Sequence, residues 1–158
     1  MKAGLSEAGA PNRYPLPPLM TAGALVAAFI LQWFAPIAWE GATFWRVLGA
    51  MVALCAIALM AWAAVHMRRR AVNILPHRAA TGLVTDGPFA WSRNPIYLAD
   101  VLVVAGLGVF FANGWMVMAA VVLAVLLREL AAKREERHMA ERFGDEWHAY
   151  ARKVRRWL

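Results

Sequence analysis

The chain is short of charge and nearly without cysteine. Asp, Glu, Lys and Arg make up 17% of its 158 residues, while 61% are hydrophobic. An ordinary soluble domain carries about 25% charged residues. One domain of this length buries only about two-thirds of its surface, so a soluble fold could not hide the apolar excess. The single cysteine, Cys55, excludes an internal disulfide and a thiolate zinc cluster. Four histidines (His66, His77, His138 and His148) lack the close spacing of a membrane di-iron or zinc site, and no metal is expected. A strand–turn–helix dinucleotide fingerprint is also missing. Gly106 and Gly108 lie inside an apolar run, where they suit close helix packing. These absences exclude a soluble Rossmann methyltransferase or dehydrogenase. Acidic residues are few as well: 10 against 17 Lys and Arg, a net charge of +7. On a soluble protein that balance would suggest nucleic acid; on a membrane protein it suggests cytoplasmic loops and anionic headgroups.

What is present is long and apolar. Residues 14–39, 47–67 and 101–127 contain no Asp, Glu, Lys or Arg, in runs of 26, 21 and 27. About 20 apolar residues cross a bilayer as a helix. The third run is one long span or two helices joined at Asn113-Gly114, a strong turn dipeptide. Basic residues flank both of its ends, and they share one side only if the run doubles back. The sequence therefore predicts four helices, near 19–39, 44–66, 96–112 and 115–131, in one all-α integral membrane domain. On that topology 16 of the 17 basic residues face one side and only Arg46 the other. Both termini face the cytoplasm of an inner or plasma membrane, and Trp39, Trp45 and Trp115 mark the outer boundary.

The tail carries Met139, Phe143, Trp147, Tyr150 and Val154 at helical spacing, broken near Gly144, with Arg137, Arg142, Arg152 and Lys153 on the other face. Such a segment lies in the membrane interface or docks on the bundle; the pattern leaves both open.

With so little chain outside, the candidate chemistry falls on the basic side. Arg68-Arg69-Arg70 reads as a topology anchor. Leu83-Val84-Thr85-Asp86-Gly87-Pro88-Phe89 reads as an extended stretch and turn, apolar enough to lie against a ligand. In Arg93-Asn94-Pro95-Ile96-Tyr97, Pro95 suits the first position of a helix. The free amides of that first turn would favour a carboxylate or phosphate, and Arg93 would add a planar fork for the same anion. Glu135-Glu136 returns to this side beyond the hairpin, where a carboxylate could accept from a hydroxyl or amine; a salt-bridged helix is the plainer reading. Asp100, inside the third helix, is a carboxylate at membrane depth.

These segments, in this order around a hairpin and followed by Phe143-Gly144-Asp145-Glu146-Trp147, resemble the isoprenylcysteine carboxyl methyltransferase family, relatives of the phospholipid N-methyltransferases. The resemblance covers residues 73–156, preceded by a transmembrane pair over 19–66. It implies a membrane enzyme that binds S-adenosylmethionine on the cytosolic side and methylates a lipophilic acceptor, a carboxylate, thiol or similar group. By position it implies cofactor contacts from Thr81, Leu83, Val84, Phe89, Asn94, Pro95, Ile96, Tyr97 and Glu135. Asn94 stands where many members have histidine, and Ala131 where eukaryotic members have a substrate-binding arginine. Arg128, one turn earlier, or Arg134 is the expected substitute. Arg128, which ends the fourth helix near the membrane face, is taken to orient the acceptor, with Glu136 or Asp100 the base if the acceptor is an amine. The same scaffold leaves three alternatives: a phospholipid amine N-methyltransferase, a non-catalytic membrane module, and a nicotinamide-dependent reductase.

Overall fold

The computed structural model describes residues 16–40, 43–70 and 82–157. Among these residues every regular element is a helix. Helix α1 spans Leu16–Phe34 and α2 Thr43–Arg69. A 3-10 turn at Gly87–Ala90 precedes α3, Pro95–Phe110. Helix α4 runs Gly114–Leu126, widens into a π turn at Leu127–Ala132, and continues as α5, Lys133–Lys153. Three helices are long and apolar enough to cross a membrane: α1, α2, and the continuous helix that begins with α4. The 16-residue α3 is the shorter arm of the hairpin, about 24 Å at 1.5 Å per residue. This is an all-α integral membrane protein.

The hairpin tip forms at the expected dipeptide. Asn113 caps α4, its Oδ1 accepting from the amide of Met116 at 3.0 Å. Helix α1 ends earlier than expected, at Phe34 rather than 39, because Pro36 cannot continue it. The chain after it packs on the hairpin: Gly114 donates to the carbonyl of Ile37 at 2.7 Å, and the Trp115 indole to that of Ala35 at 2.6 Å.

Small residues set the α2–α3 contact. Gly49, Ala53, Ala56 and Ala63 are the buried positions of α2. A Cβ on Gly49 would lie 2.4 Å from the amide nitrogen of Phe110, and one on Gly106 2.7 Å from that of Ala53. The backbones touch where a side chain would otherwise stand, the usual device of membrane helices that cannot draw on a hydrophobic driving force. On its other face α3 meets α4. Tyr97 and Val104 pack with Ala120, Leu123, Leu127, Ala131 and Ala132 in the largest buried cluster.

The expected fourth helix, ending near 131, and the separate tail are one element. The helix passes through the π turn without a break and bends only at Gly144, where φ is +50° and ψ −122°. Beyond the bend Trp147 and Tyr150 are buried against the protein, not laid in an interface. Of the two readings of the tail, docking on the bundle is the one realised.

Candidate functional site

The 3-10 turn, the start of α3 and the start of α5 converge at one end of the bundle. The turn is seated from two sides. Val84 and Phe89 pack on Ala63 of α2, with Met67 and Ile96 at the edge. Asp86 accepts from His66 at 3.0 Å and pairs with Arg70. The His66 hydrogen bond, aided by the charge of Arg70, holds the Asp86 carboxyl below its ordinary value. The His66 ring also lies over Gly87, 2.8 Å from where a Cβ would stand; with φ at +59°, this position needs glycine.

Pro95 is the first helical residue of α3, as the spacing predicts. The amides of Ile96 and Tyr97 therefore have no partner within the helix. Asn94 does not cap them: its side chain makes no capping bond, and its Nδ2 is buried without a partner. The Nε of Arg93 is buried and unpartnered as well. Unmade bonds of buried donors are costly, and an anion placed before α3 would satisfy them. Opposite, the Tyr97 hydroxyl donates to Glu135 across the bundle. Glu135 lies in α5, beyond the last apolar residue of α4. Burial pushes its carboxyl up to about 7, the Tyr97 hydroxyl pulling the other way and Glu136 adding to the rise. Donors suited to a carboxylate and a carboxyl suited to a hydroxyl or ammonium thus stand at the same end of the bundle.

The structure brings together most of the residues expected there. Val84, Phe89, Asn94, Pro95, Ile96, Tyr97 and Glu135 line this region, with half-buried Leu83 at its rim. Thr81 lies outside the described residues. Arg128 is not gathered in: it begins the π turn with an exposed side chain, 3.6 Å from Glu129. Glu136 is present but engaged. Arg156 donates to both of its oxygens, at 2.7 and 2.6 Å, and Arg93 approaches to 3.5 Å. Both oxygens of Glu136, one of the two carboxylates expected as a base for an amine acceptor, are thus occupied by guanidinium contacts. Asp100 makes no hydrogen bond or ion pair among the described residues.

The sequence reading missed the return of the C-terminus to this site. Residues 154–157 run back beside the turn before α3, where Arg93 donates to the carbonyl of Arg155 at 3.0 Å and Ser92 Oγ to that of Arg156 at 3.0 Å. Tyr150 donates to the carbonyl of Phe89 at 2.7 Å, and burial pushes its hydroxyl up to about 12. The Arg93 guanidinium stands 5.8 Å from the Trp147 ring centre. The bend at Gly144 was the available clue, because only a reversal there can carry residue 156 back to 136.

Comparison with known proteins bears on what this end of the bundle does. A protein of Haemophilus influenzae described as uncharacterized is 29% identical over 63 residues, which are 40% of this chain and the whole of that protein. The nickel-cobalt-cadmium resistance protein NccN of Alcaligenes xylosoxydans xylosoxydans is 35% identical over 78 residues, 49% of this chain and 36% of NccN. This chain thus spans little more than a third of NccN. No solved structure matches. Residues 44–146, from the start of α2 to just past the bend in α5, match the phospholipid methyltransferase family, and with them the helix-start donors, the Tyr97–Glu135 pair and the hairpin: the chain belongs to that family.

Proposed function

We propose that this protein is an S-adenosylmethionine-dependent methyltransferase whose cofactor site lies between the start of α3 and Glu135, and whose acceptor is a lipophilic carboxylate, thiol or similar group. The observation that carries the reading is the pairing of unpartnered donors at Arg93 and Asn94 with the half-buried Glu135 carboxyl, held by the Tyr97 hydroxyl. When bound, the cofactor supplies an electrophilic methyl group on a sulfonium. The amides of Ile96 and Tyr97, the Asn94 amide and the Arg93 guanidinium would hold its carboxylate. Glu135, oriented by the Tyr97 hydroxyl, would accept from a cofactor hydroxyl or ammonium. Val84 and Phe89 close the site on the α2 side and exclude water, which matters because methyl transfer from a sulfonium cancels charge and is favoured by desolvation and alignment. A carboxylate or thiolate acceptor needs no general base, in keeping with a Glu136 already engaged by Arg156. The acceptor would approach from the lipid, and the site and both termini face the cytoplasm.

Calorimetry on the detergent-solubilised chain tests this directly. S-adenosylmethionine should bind the folded wild type, and Glu135→Ala should abolish the heat. Absence of binding to well-folded wild type would sink the reading.

A further inference from the structure

We propose that the C-terminal return, Val154–Trp157, is a clamp on the cofactor site and that Arg156 is its positioning residue. The proposal rests on the methyltransferase reading and goes beyond it. A straight helix would hold residues 136 and 156 about 30 Å apart, 20 residues at 1.5 Å each. The reversal at Gly144 brings them into a two-point ion pair. The return segment makes three further contacts. The carbonyl of Arg155 accepts from the Arg93 amide, and the carbonyl of Arg156 from the Ser92 hydroxyl. Ser92 Oγ in turn accepts from the Asn94 amide at 3.2 Å, so the return segment is wired through one hydroxyl to the residue just before α3. Trp157 packs at the edge of the cluster that holds Tyr97.

The side chain of Arg156 acts through charge. Glu135 and Glu136 are adjacent on one helix, and Glu136 is largely enclosed, its side chain 14% exposed. A charge so placed must be compensated. Two cations are within reach, Arg93 and Arg156, and Arg156 takes both oxygens. That leaves Arg93 only 3.5 Å away at one nitrogen, with its Nε unpartnered at the mouth of α3. Without Arg156, Glu136 would draw Arg93 fully onto itself and take it from the anion site. Arg156 thus keeps Arg93 from closing fully on Glu136, so that its unpartnered Nε stays available to the ligand.

Binding of S-adenosylhomocysteine to the full chain in nanodiscs, beside ligand-free melting temperatures, tests the clamp. Arg156→Met should weaken binding by about tenfold or more, the scale of a lost charged hydrogen-bond pair. Arg156→Lys, which restores charge without the fork, should recover part of that loss. Adding Glu136→Gln to Arg156→Met should recover most of it, because the uncompensated charge that captures Arg93 is gone. If Arg156→Met binds within about twofold of wild type, the clamp is overturned. It is equally overturned if the double variant binds as weakly as Arg156→Met, which would mark a merely structural loss. Should Arg156→Met not fold, Arg156→Lys and the double variant carry the same comparison. Failure of wild type itself to bind would instead overturn the methyltransferase reading, and the clamp with it.

Discussion

Glu135 and Tyr97 are 38 residues apart and joined by one hydrogen bond across the bundle. Burial, opposed by that bond, gives the site a titration near neutrality. Because burial raises the Glu135 carboxyl to about 7, its ionised fraction climbs as pH rises through that value. A carboxylate accepts from a hydroxyl or ammonium better than a neutral acid does. Affinity for S-adenosylmethionine should therefore increase between about pH 6 and pH 8 and level off above, as the ionised fraction does. Glu135→Gln should bind more weakly and lose the slope; calorimetry at three pH values would show it, and an unchanged slope would move the titration elsewhere. Arg128 poses the opposite case. Its exposed side chain reaches Glu129 and nothing in the site, yet it lies about one turn before Ala131, where the family resemblance implies an acceptor-binding arginine. If it orients an anionic acceptor, Arg128→Ala raises acceptor KM and leaves cofactor affinity alone. Unchanged kinetics would remove it from the mechanism.

Among the elements, the α2–α3 seam fixes where the site can be. Ala63 lies on α2 and seats Val84 and Phe89; Gly49 and Gly106 let the two helices approach closely enough for that contact. Gly49→Ala places a methyl group 2.4 Å from one backbone atom and 2.6 Å from another, with no flexible side chain to give way. Overpacking of this kind costs about 1–3 kcal/mol. The variant should melt several degrees lower and bind cofactor more weakly through the displaced turn, whereas Gly23→Ala, inside α1 with open space around it, should melt no lower than wild type. The seam also shows what the sequence could and could not reveal. Apolar runs, the Asn113-Gly114 turn and Pro95 were legible because each is a local rule: length against bilayer thickness, turn chemistry, a fixed φ. The π turn at Leu127–Ala132 was not, because nothing in Leu127-Arg128-Glu129-Leu130-Ala131-Ala132 forbids an ordinary helix; packing of its buried residues against Tyr97 decides it. The partners of Glu136 were hidden for a related reason. Four arginines or lysines follow Gly144, and only the three-dimensional return selects Arg156 from among them.

For the whole molecule, charge and site coincide. His66, Asp86, Arg93, Glu135 and Arg156 all gather at the end of the bundle opposite the Asn113-Gly114 tip, the end that collects most of the chain's Lys and Arg. An apolar protein with its positive residues at one end is oriented by them, since Lys and Arg in short loops are retained on the cytoplasmic side during insertion. On that rule the ligand-binding end is expected in the compartment that holds the proposed nucleoside cofactor, with the lipid-facing sides of α3 and α4 as the expected route for an apolar acceptor. Single-cysteine labelling measures the orientation. In a Cys55→Ser background, a cysteine at Glu40, between α1 and α2, should react with an impermeant maleimide on intact cells. One at Arg152, near the end of α5, should react only after lysis. Both sites are exposed, so accessibility within the protein does not bias the comparison. The reverse pattern would put the Glu135 site on the outer face, away from the cofactor pool, and a methyltransferase reading could not survive that result.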